Sequence, residues 1–287
     1  MEKIQAAIAK ARASRAEHVR TSGPDTKDAA TAVRTALAGA LDAVQVSPLE
    51  QEVKTAWAAL PSFQPSKTQM NKSHVATFEG GADATSFDAL RTKLLQQMRL
   101  NNWKRVAITS PTMGCGKSTV ALNLAFSLAR QPALRTLLID TDFRRPSLAR
   151  MCNLTAAQSF SKVLQGEAEF AQTAHRFGDN LAISTNKASV HRAAEILSGA
   201  HTPEALRQIE AQYAPDIMIF DMPPLFVTDD MMAFAAHVDC VLLVAASEQS
   251  TIKDIDTAEQ ELSSQTNVVG VVLNKCRYME PGLDYSY

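Results

Sequence analysis

Residues 110–119 read SPTMGCGKST, and they lie between two apolar segments at 106–108 and 121–125. An apolar strand, a glycine-containing turn and a helix, in this order, are what a phosphate-binding loop requires. Gly114 and Gly116 have no Cβ atom, so the chain can turn tightly here and direct backbone N–H groups at phosphate oxygens. The stretch therefore predicts an α/β domain that binds a nucleotide.

Two side chains of this loop have the chemistry to act on a nucleotide directly. Lys117 is predicted to contact the β- and γ-phosphates, and the Ser118 hydroxyl is predicted to bind Mg²⁺, which usually takes only one or two protein ligands. Proline stands at position 111, where the P-loop pattern has its first glycine. The alternative is a turn that merely joins a strand to a helix. The residues predicted to contact the nucleotide are Met113, Gly114, Cys115, Gly116, Lys117, Ser118 and Thr119.

Two further apolar segments end in carboxylates. Residues 137–146 read LLIDTDFRRP, and residues 216–224 read DIMIFDMPP. Continuous apolar runs are typical of buried parallel strands, and ligands collect outside the carboxyl ends of such strands. We therefore expect Asp140, Asp142 and Asp221 to lie at the same edge of a sheet as the phosphate-binding loop.

These carboxylates suit different tasks. Asp140 or Asp221 is predicted to hold the metal ion or one of its waters, and Asp142 to accept a proton from an attacking hydroxyl or water. The alternative for Asp142 is that it caps a helix or begins a turn.

The three segments, in this order, resemble the Walker A, Walker A′ (D-x-D-x-R) and Walker B (D-x-P-P) blocks of the bacterial protein-tyrosine kinases (BY-kinases) of capsule and exopolysaccharide synthesis. Weaker similarities lie at residues 163–166, 194–197 and 271–274, and the resemblance covers roughly two thirds of the chain, from residue 86 onward. It implies a mainly parallel P-loop NTPase sheet flanked by helices on both faces, with ATP and Mg²⁺ as the bound groups.

The resemblance also implies roles for individual residues. The catalytic set would be Lys117, Asp140, Asp142 and Asp221, and the metal ligands would be Ser118, Asp140 and Asp221. Arg144 would neutralise phosphate charge or contact a neighbouring subunit. Asn274 and Lys275, near the last predicted strand, are candidate contacts for the adenine base.

The tyrosines are unevenly distributed. The chain has 4 tyrosines, and Tyr278, Tyr285 and Tyr287 lie within its last ten residues. Pro281, Gly282 and Asp284 lie among them and favour an unpacked tail. Kinases of this family autophosphorylate a tyrosine-rich tail, so the three tyrosines are the predicted phosphoacceptors. The alternative, strongest for Tyr278, is a ring that anchors the tail to the core.

Some positions depart from the family pattern. Met113 replaces the usual proline, and Thr112 stands where partition and division-site ATPases have a signature lysine, which favours the kinase interpretation. The family's E-x-x-R-x-x-R oligomerisation motif would align with Thr85, Asp88 and Arg91, of which only Arg91 matches. The sequence therefore predicts the helix but an altered charge pairing between subunits.

Composition excludes some function classes. The formal net charge is −1, so no charge-driven binding of nucleic acid is predicted. The 4 cysteines form no C-x-x-C pair, as expected in a reducing compartment. No apolar run is long enough to span a bilayer, and the first twenty residues do not read as a signal peptide. We therefore expect a cytoplasmic protein, and the resemblance implies that a partner recruits it peripherally to the inner membrane.

The resemblance implies several partners. They are a membrane-anchored chain-length-determining or activator protein, further copies of the chain that phosphorylate one another in a homo-oligomer, and a tyrosine phosphatase.

The predicted organisation has three parts: an N-terminal extension and linker at 1–80, a P-loop kinase domain at 81–276 and a tyrosine-bearing tail at 277–287. The extension is predicted to be partly helical or disordered, with helices at 2–19 and 50–60. In the domain, strands are expected near 105–109, 135–140, 181–185, 216–220, 239–245 and 268–274, and helices near 86–99, 117–130, 192–212, 229–236 and 252–264.

Together these observations predict an ATP-dependent protein-tyrosine autokinase that regulates exopolysaccharide or capsule synthesis and export. Two alternatives remain. One is a P-loop ATPase that acts as a positioning or assembly switch without phosphorylating tyrosine, and the other is a nucleotide-binding regulator that is not an enzyme.

Overall fold

The computed structural model describes residues 47–276. In this part of the chain seven strands form one sheet in the order β3-β4-β2-β5-β1-β6-β7. Their bounds are β1 Arg105–Thr109, β2 Thr136–Asp140, β3 Ala174–Phe177, β4 Leu181–Ser184, β5 Ile217–Asp221, β6 Cys240–Ala246 and β7 Asn267–Asn274. All neighbouring strands are parallel except β3 and β4, which are antiparallel.

Helices connect most of these strands. They are α1 Pro48–Ala59, α2 Lys67–Lys72, α3 Thr85–Asn101, α4 Lys117–Ala129, α5 Leu148–Cys152, α6 Phe160–Leu164, α7 Ala193–Leu197, α8 Thr202–Tyr213, α9 Asp230–Phe234 and α10 Ile252–Ser263. Single 3₁₀ turns occur at Ala76–Phe78, Ala82–Ala84, Phe170–Gln172 and Ala235–His237.

Each face of the sheet carries its own apolar core. Along β2, Leu137 and Ile139 belong to one core and Leu138 to the other, because successive side chains of a strand point to opposite faces. Helices α3 and α4 cover one face, and α8 and α10 cover the other. Strands buried on both faces have few polar residues, and this is why they read as continuous apolar runs. The fold class predicted from the sequence is confirmed.

Several elements differ from the sequence prediction, which contained none of the short helices α2, α5 and α6. Strand β3 was not predicted, because in its sequence AHRF only the first residue is fully buried and no apolar alternation marks it. The helix predicted over residues 192–212 is two helices, α7 and α8. Gly199 lies between them and Pro203 lies in the first turn of α8, where proline is favoured because its missing N–H has no partner there.

Residues 51–80 do not form the linker that was predicted for them. The compact unit that contains the sheet begins at Gln51. Val53, Trp57 and Leu60 are at most 4% exposed and belong to the same core as β2 and β5. The predicted boundary at residue 80 therefore lies inside this unit. Residues 1–46, including the helix predicted at 2–19, lie outside the described part of the chain.

Helix α3 carries the altered oligomerisation motif, and its charged side chains bind within the chain. Asp88 accepts hydrogen bonds from Ser127 and Arg130, both at the C-terminal end of α4 or just beyond it. Arg91 donates to the Ser127 carbonyl at 3.1 Å and lies 3.4 Å from Asp88. The predicted helix is confirmed, and these side chains fasten it to α4.

Candidate active site

The loop between β1 and α4 has the conformation of a phosphate-binding loop. Gly114 and Gly116 have φ values of +79° and +91°, in the left-handed region that side chains rarely adopt. Gly116 is the N-cap of α4 and supplies no side chain to the first N–H groups of the helix. These donors and the positive end of the helix dipole make the start of α4 a site for anions. Lys117, the first residue of α4, is 9% exposed.

Side chains from the segment after β6 and from the end of β7 hold the backbone of this loop. The Gln249 amide donates to the Met113 carbonyl at 2.6 Å, and the Asn274 amide donates to the Cys115 carbonyl at 2.9 Å. A Cβ atom at position 116 would collide with the Asn274 amide nitrogen. The structure thus places the Asn274 amide in contact with the phosphate-binding loop.

On its other side the loop is bound to the segment that follows β5. The Thr109 hydroxyl donates to the Pro223 carbonyl at 2.6 Å, and the Leu225 N–H donates to the Ser110 carbonyl at 2.8 Å. The Phe226 N–H donates to the Pro111 carbonyl at 3.1 Å. The two segments are thus fixed relative to each other.

Asp140 and Asp221 lie side by side at the ends of β2 and β5. They are register partners on the two neighbouring strands, and neither is exposed. One carboxylate oxygen of Asp140 accepts from the N–H groups of Ser147 and Leu148, both at 3.0 Å. The other Asp140 oxygen and both Asp221 oxygens have no hydrogen-bond partner among the described residues. Buried carboxylates without partners are rare and costly, so they indicate a function.

Burial raises the pKa values of this pair, and the charges of neighbouring carboxylates add to the shift. Burial raises the pKa of Asp221 to about 7, against the opposing effects of the Lys117 charge and of the nearby Ser118 hydroxyl, which forms no hydrogen bond with this carboxylate in the structure. The pKa of Asp140 is raised well above its usual value, first by burial and then by the charge of Asp221. A divalent cation would stabilise both carboxylates in their charged form.

The site therefore fits Mg²⁺ bound together with a nucleotide. In the described residues no three His, Cys, Asp or Glu side chains converge as a complete metal site. Mg²⁺ does not need such a cage, because it typically binds one or two carboxylates, several waters and the phosphates of the substrate. Ser118, in the first turn of α4, and the orphaned oxygens of Asp140 and Asp221 supply that kind of partial ligand set.

Asp142 lies just past the end of β2 and contributes to a cavity of about 240 Å³ that Lys117 also lines. One of its oxygens accepts from the Arg145 N–H at 3.0 Å. Burial raises the pKa of Asp142, although the Arg145 N–H and the Lys117 charge oppose the shift. A carboxylate with a raised pKa is a better proton acceptor than a solvated one. The turn predicted as the alternative is present, and the carboxylate also faces the cavity.

Arg144 forms an ion pair that the sequence analysis did not anticipate. Its Nε and Nη2 atoms donate to the two oxygens of Asp230 at 2.8 and 2.9 Å, and Asp229 lies 3.7 Å away. Asp230 is fully buried at the start of α9, whereas the Arg144 side chain is 37% exposed and lines the same cavity. Such a two-point contact fixes the plane of the guanidinium group.

Comparisons with known proteins agree with this geometry. The family described as ParA, NUBPL iron-transfer P-loop NTPase, matches residues 102–285. The tyrosine-protein kinase YwqD of Bacillus subtilis is 30% identical over 173 residues, which are 60% of this chain and 72% of that protein. The chain belongs to the bacterial tyrosine-protein kinase family.

Two further similarities define the extent of the match to this kinase family. The putative tyrosine-protein kinase EpsB of Ralstonia nicotianae is 31% identical over 191 residues, or 66% of this chain, but the chain spans only 25% of that protein's length. The kinase domain of the Escherichia coli tyrosine kinase ETK aligns with 72% of this chain and 80% of its own, at 25% identity and a TM-score of 0.63.

The structure brings together most of the active-site residues that were predicted from the sequence. Lys117, Ser118, Asp140, Asp142 and Asp221 surround the start of α4, as expected from strands that end at one edge. Tyr278, Tyr285 and Tyr287 lie outside the described residues. The fourth tyrosine, Tyr213, is 1% exposed, and burial raises its pKa to about 12.

Sequence reasoning missed Asp230 and Gln249, and it did not predict the contact of Asn274 with the loop. The adjacent carboxylates Asp229 and Asp230, eight and nine residues after Asp221, were a signal that was not used. Gln249 lies in a polar segment after β6, and nothing in its sequence context marks it. In the described part of the chain no helix has the length and apolar character needed to cross a membrane.

Proposed function

We propose that this protein is an ATP-dependent protein-tyrosine kinase that transfers the γ-phosphate of ATP to tyrosines of residues 277–287. The observation that carries the proposal is the arrangement around the start of α4. Lys117 and Asp142 line one cavity, beside the unpaired buried carboxylates of Asp140 and Asp221. Membership of the tyrosine-kinase family supports the same conclusion.

Binding of the nucleotide depends on the loop and on α4. The N–H groups at the start of α4 and the Lys117 ammonium group bind phosphate oxygens and reduce their charge. When bound, Mg²⁺ neutralises charge on the β- and γ-phosphates, and Ser118, Asp140 and Asp221 are the residues that would hold it. Arg144, oriented by Asp230, adds a second cationic group to the wall of the cavity.

In the transfer step the phenol oxygen of a tyrosine attacks the γ-phosphorus. The new bond joins that oxygen to phosphorus, the bond between the γ-phosphorus and the β,γ-bridging oxygen breaks, and ADP leaves with the electron pair. Asp142 accepts the phenolic proton. Most of the rate enhancement in phosphoryl transfer comes from positioning and electrostatic stabilisation, which the buried Lys117 provides at this site.

The burial of Tyr213 argues against this residue as the phosphate acceptor. Tyr213 packs with its ring centroid 5.0 Å from that of Phe170 and is buried, so it is not available to an active site. The remaining tyrosines, Tyr278, Tyr285 and Tyr287, follow β7, whose last residue contacts the phosphate-binding loop. They are the acceptors in this proposal.

The cellular setting belongs to the same proposal. The kinase regulates exopolysaccharide or capsule synthesis and export, and a membrane-anchored chain-length-determining or activator protein recruits it to the inner membrane. Copies of the chain phosphorylate one another, and a tyrosine phosphatase reverses the modification. Each added phosphate places nearly two negative charges on residues 277–287, close to a site rich in carboxylates, and this weakens subunit association.

Phosphotyrosine mapping by mass spectrometry after incubation with Mg-ATP tests the proposal. We expect phosphate on Tyr278, Tyr285 or Tyr287, and its loss in the Lys117→Met variant. The exposed Lys253→Met variant, on α10, is the matched control and should retain phosphorylation. ATP hydrolysis without phosphotyrosine, also in the presence of the membrane partner's intracellular segment, would instead support the nucleotide-dependent assembly switch.

A further inference from the structure

The phosphate-binding loop has one closed side and one open side. Toward β6 and β7, the amides of Gln249 and Asn274 contact its backbone directly. Toward β5, a cavity of about 240 Å³ lies between the tip of the loop, at Met113 and Gly114, and the segments that follow β2 and β5. Pockets for whole small molecules have volumes of about 300 to 1,000 Å³, so this cavity suits the reacting groups rather than a complete ligand.

The walls of this cavity differ in chemistry. Lys117, Asp142, Arg144 and Arg145 form its polar wall. Met113, Pro224 and Val227 supply apolar surface, with Met113 47% and Val227 48% exposed. Large apolar side chains exposed beside a catalytic carboxylate are not needed to bind a triphosphate, whose contacts are polar.

The apolar wall is held in place by the backbone. The Val227 N–H donates to the Pro224 carbonyl at 3.3 Å, and the two preceding residues donate to the carbonyls of Ser110 and Pro111. Met113 is fixed by Gln249 through its carbonyl group. Met113 and Val227 therefore border the opening from two segments that cannot separate easily.

We propose that Met113, Pro224 and Val227 form the subsite that binds the phenol ring of the acceptor tyrosine. This inference rests on the proposed kinase function and adds to it the residues that select an aromatic acceptor. The ring packs against the apolar wall, which places the hydroxyl toward Asp142. A serine or threonine of the same segment has no ring to bury there, so it gains no comparable affinity.

A binding cycle tests the subsite without requiring phosphoryl transfer. One labelled peptide has the sequence of residues 277–287 with its tyrosines replaced by phenylalanine, and a second has serine at these positions. Their dissociation constants are measured by fluorescence anisotropy on the full chain with Mg-ADP present. On wild type we expect the phenylalanine peptide to bind about tenfold more tightly than the serine peptide, from the apolar area that the rings bury.

The variant Val227→Ser should reduce this ring preference to about twofold, because it removes apolar surface from the wall. Val227→Leu keeps an apolar side chain and should retain the preference. Val271→Ser is the matched control, since Val271 is 47% exposed on edge strand β7 and is remote from the cavity. Thermal unfolding verifies that each variant is folded.

An equal ring preference in wild type and Val227→Ser would overturn the subsite, as would an equal loss in Val271→Ser. Phosphotyrosine mapping of the same wild-type protein is a separate measurement. If the ring preference depends on Val227 but no phosphotyrosine forms, the kinase proposal fails while the aromatic subsite stands. If phosphotyrosine forms but the preference does not depend on Val227, only the subsite is wrong.

Discussion

At the scale of single residues, the buried carboxylates of Asp140 and Asp221 are energetically unfavourable. Both are fully buried, and three of their four carboxylate oxygens have no partner in the described part of the chain. Burial raises the pKa values of both. Because a metal ion would relieve this cost, the stability of the free protein is reduced in exchange for metal binding.

At this scale we predict that Asp221→Asn stabilises the protein in the absence of metal and nucleotide. Burial raises the Asp221 pKa to about 7 in the folded state, whereas the unfolded value is near 3.8, so the ionised carboxylate destabilises the fold at high pH. At pH 8 the variant should gain on the order of 2 kcal/mol. The folded state binds the extra proton as pH falls from about 7 toward 4, so the difference should shrink over this interval.

Urea unfolding in EDTA at several pH values measures this difference. Asp216→Asn, at a carboxylate that binds the Arg135 N–H before β5, is the control. A variant less stable than wild type at pH 8 would contradict the assignment of Asp221 as a strained ligand.

At the scale of elements, strand β7 positions the phosphate-binding loop. Asn274 is its last residue and donates to the Cys115 carbonyl at 2.9 Å, next to the glycine that is the N-cap of α4. The contact orders the loop before a nucleotide binds. An ordered loop loses less conformational entropy on binding, which favours affinity.

We therefore predict that Asn274→Ala weakens nucleotide binding about fivefold, because one hydrogen bond to the loop is lost. Isothermal titration calorimetry with Mg-ADP measures the effect. Asn267→Ala removes a similar amide bond, to the Asp239 carbonyl at 2.8 Å, from the opposite end of β7. This control should bind with wild-type affinity, and an equal loss in both variants would refute a specific role for Asn274.

A second prediction at the scale of elements concerns the contact between α3 and α4. Burial opposes ionisation of Asp88, but hydrogen bonds from Ser127 and Arg130 outweigh it and lower the Asp88 pKa. A lowered folded pKa gives stability that is present above the unfolded value, near 3.8, and is lost as pH falls through the folded value. Asp88→Asn should cost about 1 kcal/mol at pH 7.

Thermal unfolding of wild type and Asp88→Asn across pH measures this cost. The difference should diminish below about pH 4, where the wild-type carboxylate begins to bind protons. Asp83→Asn, at an exposed carboxylate just before α3, is the control. A loss of stability that does not depend on pH would show that the negative charge of Asp88 does not contribute to the contact.

At the scale of the whole molecule, residues 51–80 are part of the domain. Trp57 is 4% exposed, its indole N–H donates to the Tyr213 carbonyl at 2.8 Å, and its ring packs edge-on against Tyr213 at 6.2 Å. Phe63 packs against Phe177 of β3 at 6.0 Å, next to the core on the other face of the sheet. The segment before the first strand therefore covers part of the sheet.

We predict that Trp57→Ala destabilises the protein by about 3 to 5 kcal/mol, the usual cost of removing a buried tryptophan. Guanidinium unfolding measures the loss. Leu100→Ala, at a side chain that is 71% exposed on α3, should change stability little. A small effect at Trp57 would contradict the assignment of residues 51–80 to the folded domain.

Much of the fold and of the site follows from the sequence alone. The loop at 110–119 and the carboxylates at 140, 142 and 221 were predicted because their signals are local. An apolar run specifies a buried strand, glycines specify the loop, and parallel strands place their carboxyl ends at one edge. Local patterns therefore determined the class of fold and the position of the loop and carboxylates that we propose to bind phosphate and metal.

Other features were decided only by the tertiary structure. The pairing of Arg144 with Asp230, the support of the loop by Gln249 and Asn274, and the packing of Trp57 on Tyr213 join residues from 86 to 159 positions apart. Neither hydrophobic periodicity nor a short motif carries information about such partners. Hydrogen bonds and ring contacts between distant residues depend on where the folded chain places them, and that placement defined both the domain boundary and the apolar wall of the cavity.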